Sequence, residues 1–101
     1  MTPLEHLRSE FPTIATICAR YKVAELSVFG STARGDAGQD SDIDLLVTFQ
    51  PDAVVGLVAF NRLRRELEDG LGRRIDLVPK DGLKPVIRAE VLAEAQVVYA
   101  A

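Results

Sequence analysis

The chain has 101 residues, of which 48% are hydrophobic and 27% charged, a composition typical of a folded domain and unlike that of a disordered chain. Its formal net charge of −3 gives little support to general binding of duplex DNA, which requires a basic face. A single cysteine, Cys18, excludes an internal disulfide framework and a zinc site built from several cysteines. We expect one cytoplasmic domain over residues 1–101, because the chain shows no signal-peptide pattern and no apolar run near the ~20 residues of a membrane span.

The first part of the chain predicts helix followed by strand. Thr2 and Glu5 have the spacing of a capping box, and apolar residues then recur every three or four positions to about Arg20. Pro12 interrupts this stripe, so either the helix bends there or a short helix gives way to a second one. Apolar, strand-forming residues over 25–29 then predict the first strand.

Strands and helices alternate along the rest of the chain. The predicted elements are a short helical turn with a loop over 30–40, a strand over 41–49, a helix over about 53–69 that stops at Gly70 or Gly72, a strand over 74–78, a helix over 85–94 and a short strand over 96–100. There is no internal repeat and no linker. The pattern predicts an α/β layer fold.

Three aspartates occupy positions in predicted strands. Asp42 and Asp44 are two residues apart, so their side chains project to the same side of one strand. In the next strand Asp76 lies between an isoleucine and a leucine, as Asp44 does. If these strands are neighbours in the sheet, three carboxylates meet on one face.

Such a cluster is unfavourable unless a cation neutralises it. Two unit charges about 5 Å apart repel by roughly 3 kcal/mol at an effective dielectric near 20. Carboxylate oxygens are the ligands that Mg²⁺ prefers, and a bound cation removes this repulsion. A single aspartate in a strand is more often a strand end facing water, but a third aspartate in a matching apolar frame favours the metal site.

The turn after the first predicted strand offers groups that bind phosphate. Gly30 allows a sharp turn, and the backbone N–H groups and hydroxyl of Gly30-Ser31 can hold phosphate oxygens, although Gly-Ser alone is usually only a turn. Arg34 either adds positive charge for the phosphates or pins the loop to Asp36 or Asp40. Ser41 either orients the neighbouring Asp42 carboxylate or belongs to a turn.

The spacing of these motifs resembles a known signature. Gly30-Ser31, ten intervening residues and Asp42-Ile43-Asp44 resemble the signature of the DNA polymerase beta-like nucleotidyltransferase superfamily. The longer stretch 29–47 is similar to its minimal branch, the prokaryotic minimal nucleotidyltransferases. Residues 74–78 resemble the strand with the third aspartate, and 87–99 resemble the last helix and short strand of that family.

The resemblance implies a fold and a set of site residues. The implied fold is a small mixed β-sheet flanked by helices, the polymerase beta-like palm, which binds ATP as substrate with two Mg²⁺ ions. Gly30 and Ser31, with Arg34, would bind the nucleotide through its phosphates. The catalytic and metal-binding residues implied are Asp42, Asp44 and Asp76, of which the last would also help to deprotonate the acceptor.

The resemblance also implies a partner. The minimal nucleotidyltransferases that this chain resembles are typically encoded beside a small helical HEPN protein, an RNase toxin. The resemblance implies that the chain acts as the antitoxin and transfers AMP from ATP to a tyrosine hydroxyl of that toxin. We expect no room in this short chain for the acceptor-binding domain of larger superfamily members. The main alternative is a binding module that neutralises a HEPN partner without chemistry. An antibiotic-modifying enzyme is disfavoured because that acceptor domain is missing. We expect no direct contact with nucleic acid or membrane.

The other chemically active side chains have simpler interpretations. His6 lies off the apolar stripe and is expected at the solvated surface, whereas Cys18 is expected to be a small core residue. Tyr21 and Tyr99 are weak candidates for accepting a nucleotide themselves. A basic cluster is expected to form a solvated face or to contact an acidic partner; it comprises Arg62, Arg64, Arg65, Arg73 and Arg74.

Overall fold

Helices and strands alternate along the chain, as the sequence predicts. The structure is a computed structural model that describes residues 2–38 and 40–101, so Met1 and Gln39, the latter within the predicted loop, lie outside the described residues. The elements are α1 (Pro3–Ser9), α2 (Phe11–Arg20), β1 (Val23–Phe29), α3 (Gly30–Arg34), β2 (Ile43–Phe49), α4 (Leu57–Leu71), β3 (Ile75–Pro79), a 3₁₀ turn (Lys80–Gly82), α5 (Pro85–Glu94) and β4 (Gln96–Ala100).

The four strands form a mixed sheet in the order β3-β2-β1-β4. β1 pairs antiparallel with both β2 and β4, whereas β2 and β3 are parallel. Parallel neighbours need a crossover connection, and α4 provides it. β3 lies at the edge of the sheet, where its last residue, Pro79, is tolerated without a backbone N–H. The mixed sheet flanked by helices confirms the predicted fold.

The core lies on both faces of the sheet. Alternate residues of β2 pack with α1, α2 and α4 in the larger hydrophobic cluster, to which Ile43, Leu45 and Val47 contribute. Leu46 points to the opposite face and packs with Leu83 and Val91 near the 3₁₀ turn and α5. Because side chains alternate in a strand, residue 44 belongs to this second, α5-facing side of the sheet.

The first helical region is two helices, which decides between the alternatives left open by Pro12. Glu5 N–H donates to Thr2 Oγ1 at 3.1 Å and Thr2 N–H donates to Glu5 Oε1 at 3.0 Å, so the predicted capping box begins α1. α1 ends at Ser9, and Pro12 lies in the first turn of α2. Proline is tolerated there because the first helical N–H groups have no partner within the helix.

Three strand starts differ from the prediction, that of β3 by a single residue, at Ile75 and not at 74. β1 begins at Val23 and not at residue 25, since Val23 is fully buried and pairs with Phe49. β2 begins at Ile43 and not at residue 41, so Asp42 stands just before the strand. The predicted bounds of α5 and β4 agree with the structure.

The predicted start of α4 at about residue 53 is wrong. Gly56 is extended, with φ −82° and ψ 176°, and α4 begins at Leu57, while Val54 before it is 99% exposed. The helix ends at Leu71, and Gly72, one of the two predicted stops, caps it in the left-handed region at φ 67°. With 15 residues, α4 is the longest helix in the described part of the chain, and none of the helices there combines the length and the apolarity of a membrane span.

Candidate active site

The parallel pairing of β2 with β3 places two of the three aspartates side by side. Asp44 is the register partner of Asp76, as Ile43 is of Ile75. Asp42 precedes β2 by one residue and lies two positions from Asp44. Asp42 and Asp76 are exposed, and Asp44 is half-buried. The structure therefore places Asp44 and Asp76 side by side near the starts of β2 and β3, with Asp42 two residues before Asp44 in the chain.

The neighbouring carboxylates change the pKa of Asp44. Burial raises its pKa above the usual 3.8, and the negative charges of Asp76 and Asp42 raise it further. Arg34 acts in the opposite direction, and Glu94 adds to the increase. The negative charge of Asp44 is therefore disfavoured both by partial burial and by the neighbouring carboxylates.

The raised pKa predicts that Asp44 destabilises the metal-free fold at neutral pH. A carboxyl with a raised folded-state pKa favours folding while it is protonated, and this contribution is lost as the pH rises from 3.8 through the raised value. In urea unfolding without divalent cations, Asp44→Asn should therefore raise the midpoint at pH 7. This gain should shrink as the pH is lowered towards 3.8. Asp81→Asn, at an exposed position, should show neither effect; an unchanged midpoint for Asp44→Asn would contradict the prediction.

Gly30 links the end of β1 to this carboxylate. Its φ of +69° lies in the left-handed region that favours glycine. A Cβ atom at this position would overlap Asp44 Oδ2. The close approach arises because Phe29, the preceding residue, is the register partner of Asp44. Gly30 therefore allows the turn that opens α3 to lie directly against the Asp44 carboxylate.

A residue missed by the sequence analysis holds this turn. Glu94, the last residue of α5, accepts a hydrogen bond from Gly30 N–H through Oε1 at 3.0 Å. Its Oε2 accepts one from Arg34 Nη1 at 3.1 Å, and Arg34 Nε lies 3.5 Å from Asp36 Oδ2. The expectation that Gly30 offers a free N–H is wrong, because Glu94 already occupies it. Arg34 pairs with Asp36, one of its two predicted loop partners, and also with Glu94.

Two arginines organise the loop before β2. Arg73 Nη2 donates to the carbonyl oxygen of Ser41 at 2.5 Å, and Arg74 Nε lies 3.0 Å from Asp42 Oδ1. Ser41 Oγ accepts from Gly38 N–H at 3.1 Å, so this serine belongs to a turn. Arg74 is exposed, as the predicted solvated face requires, and Arg73 is partly buried. The sequence did not predict that both also contact the loop before β2.

The family model described as "Nucleotidyltransferase domain" matches residues 13–98. The chain belongs to this family. The nucleotidyltransferase assignment confirms the resemblance found in the sequence and identifies the chain as an enzyme of the transferase class.

Named relatives and solved structures agree with the assignment. Protein adenylyltransferase MntA of Thermococcus cleftensis is 48% identical over 80 residues, covering 79% of this chain and 77% of that protein. A solved structure described as a minimal nucleotidyltransferase has a TM-score of 0.78 and 44% identity, covering 95% of each chain. A complex of a tri-AMPylated Shewanella oneidensis HEPN toxin with an MNT antitoxin matches with a TM-score of 0.67 at 18% identity. The match covers 94% of this chain and 73% of the matched chain. At that identity, this last likeness shows the fold alone.

The carboxylates of this nucleotidyltransferase fit a divalent cation by their chemistry. They supply oxygen ligands at exposed or half-buried positions, where an ion such as Mg²⁺ can retain several waters. As the side chains stand, residues 2–38 and 40–101 contain no group of three or more His, Cys, Asp or Glu arranged to hold a metal, and Asp42 is paired with Arg74. The side chains of Arg74 and Asp42 are 77% and 52% exposed, so the pair contributes at most about 1 kcal/mol and Asp42 is readily released.

The remaining candidate side chains have structural roles. The expectation that His6 is solvated is wrong, because its Nε2 lies 2.9 Å from the Leu71 carbonyl oxygen. This carbonyl group is at the end of α4 and has no hydrogen-bond partner within the helix. Cys18 is buried as predicted, and burial raises the pKa of its thiol to about 12. The Tyr21 hydroxyl donates to Glu66, and this hydrogen bond raises the pKa of Tyr21.

Proposed function

We propose that this nucleotidyltransferase transfers AMP from ATP to a tyrosine hydroxyl of a HEPN partner protein and thereby acts as the antitoxin of that partner. The observation that carries the proposal is the register that pairs Asp44 with Asp76 beside the Gly30 turn. Known proteins support it: one relative is a protein adenylyltransferase, and one solved complex joins an MNT antitoxin to an AMPylated HEPN toxin.

The reaction is an in-line displacement at phosphorus. The acceptor oxygen forms a bond to the α-phosphorus of ATP, and the bond from that phosphorus to the oxygen bridging to the β-phosphorus breaks. Pyrophosphate leaves, and AMP becomes joined to the acceptor through a phosphodiester. Because there is little covalent work for the protein, positioning and neutralisation of charge carry most of the catalysis.

The three aspartates would bind the cations and take up the proton of the acceptor. Asp42 and Asp44 would hold the Mg²⁺ ions, with Asp76 as the third ligand. When bound, the ions neutralise charge on the triphosphate and lower the pKa of the attacking hydroxyl. Asp76 is exposed next to Asp44, so it can approach the acceptor and take up the hydroxyl proton.

The triphosphate end of the substrate meets the turn at the start of α3. Ser31 supplies its backbone N–H and its hydroxyl to the β- and γ-phosphates, and Gly30 supplies the close approach to Asp44. A guanidinium has five N–H donors, and the contacts of Arg34 with Glu94 and Asp36 leave others for a phosphate oxygen. The nucleotide would therefore lie between this turn and the carboxylates.

A labelling experiment tests the transfer. The chain is incubated with Mg²⁺ and with ATP labelled at either the α- or the γ-phosphate, together with a HEPN protein as the candidate acceptor. Label on the HEPN protein from the α-position alone is the expected result, and mapping then identifies the acceptor residue. Label from the γ-position alone would replace the proposal with phosphoryl transfer. A tight complex without label would instead favour the non-catalytic binding module.

A further inference from the structure

The junction between α5 and β4 holds both ends of α3. At the start of α3, Glu94 accepts from Gly30 N–H at 3.0 Å. At its other end, Gln96 Nε2 donates to the Ala33 carbonyl oxygen at 3.0 Å. These two junction residues are separated by one position in the chain and contact a helix more than sixty residues away. The short helix is thus fixed to the C-terminal part of the chain by side chains and not only by its own backbone bonds.

The Glu94 carboxylate lies where a negative charge is unfavourable for binding a triphosphate. The side chain is only 22% exposed, and its charge contributes to the raised pKa of Asp44, so it adds negative charge to a site that must accept a triphosphate. Arg34 compensates it by an ion pair at 3.1 Å. A neutral residue would avoid the repulsion but would give up a charge-assisted acceptor for the Gly30 N–H, which is stronger than a neutral one.

We propose that Glu94 is a positioning residue for nucleotide binding. Gly30 has no side chain with which to fix its own orientation, and its backbone conformation is free to vary more than that of any other residue. By holding the Gly30 N–H, Glu94 sets the orientation of the turn so that the N–H and hydroxyl of Ser31 face the phosphates. By pairing with Arg34, it also fixes where that positive charge stands. This role rests on the proposed function, since it assumes that the turn binds ATP.

The variants Glu94→Ala and Glu94→Gln separate this role from simple stabilisation. Alanine removes both contacts, whereas glutamine keeps an acceptor oxygen for Gly30 and loses the charge that pairs with Arg34. Glu90→Gln is the matched control, because Glu90 is an exposed acid one turn earlier on the same helix. The measurements are the Kd for MgATP by calorimetry and the amide proton shift of Gly30 by NMR, both without any partner protein.

We expect Glu94→Ala to weaken MgATP binding by about tenfold or more, the loss typical of a hydrogen bond to a charged group. Its Gly30 amide proton should move upfield, since it loses a carboxylate acceptor. Glu94→Gln should recover part of both effects, and Glu90→Gln should leave both unchanged. If Glu94→Ala does not fold, the same comparison between Glu94→Gln and the wild type decides the matter, with a smaller expected change.

Two results would overturn the proposal in different ways. A wild-type Kd and a wild-type Gly30 shift in the Glu94 variants would show that the carboxylate positions nothing. A wild-type protein that binds no MgATP would instead refute the proposed function and, with it, the nucleotide role of Glu94. The Gly30 amide shift would still report whether Glu94 holds the turn, so the two failures are distinguishable.

Discussion

Replacing both Asp42 and Asp44 by alanine is expected to lower AMP transfer by about a thousandfold or more, while the chain remains folded. The loss is large because both carboxylates would hold the cations that neutralise the transferring phosphate, and such charge stabilisation usually makes the largest single contribution to catalysis. Folding should persist because Asp42 is exposed and Asp44 is only half-buried, so the substitution opens no cavity in the core. Transfer is measured with α-labelled ATP, and folding by circular dichroism and urea unfolding.

The matched control is the double variant Asp52→Ala with Asp81→Ala. It removes the same number of negative charges from exposed positions away from the carboxylate cluster, so transfer should stay near the wild-type rate. Chelation of Mg²⁺ in the wild type should reproduce the loss seen in the Asp42 and Asp44 variant. Transfer that survives in that variant would refute the assignment of these carboxylates to the metal ions.

The parts of the site that follow a local pattern could be predicted from the sequence. Asp44 and Asp76 each stand in an apolar strand, and the helix between these strands makes a parallel pairing the natural arrangement. That pairing then places the two carboxylates in register without further information. The bounds of α5 were equally accessible, because Pro85 is favoured in a first helical turn.

The parts of the site that depend on long-range contacts could not be predicted. Glu94 reaches Gly30 across 64 positions, and no local pattern distinguishes it from the exposed Glu90 on the same helix. The contact of Arg74 with Asp42 likewise depends on how the loop before β2 folds back. Such residues look like solvated charges in a sequence, since helical periodicity says nothing about what lies beyond the end of a helix.

The misplaced start of α4 has a different physical origin. Residues 53–55 are apolar and therefore resemble the beginning of a helix, but Val54 is 99% exposed and packs on no core. Gly56 is extended and ends this segment, so the helix begins only at Leu57. Apolar composition alone does not distinguish a helix from an exposed apolar segment, and here the glycine was the informative residue.

Gly30→Ala is expected to disable the site and to destabilise the fold. An alanine at φ +69° is strained by roughly 1–2 kcal/mol, and its Cβ would overlap Asp44 Oδ2. Relieving the overlap must move the half-buried Asp44 carboxylate or the turn, and overpacking of this kind typically costs a further ~1–3 kcal/mol. Transfer should fall by about a hundredfold or more, because a displacement near 1 Å at a reacting centre has an effect of that size. Urea unfolding and the α-label assay measure the two effects.

Gly35→Ala separates strain from collision. Gly35 also has a positive φ, of +83°, but a Cβ added there would meet no atom within 4 Å. The Gly35→Ala variant should therefore share the backbone strain of Gly30→Ala and lose about 1 kcal/mol of stability, but keep most of its transfer activity. The excess loss in Gly30→Ala then measures the contact with Asp44. Equal stability and equal activity in the two variants would show that the turn does not need to lie against the carboxylate, and the proposed path of the triphosphate would have to be redrawn.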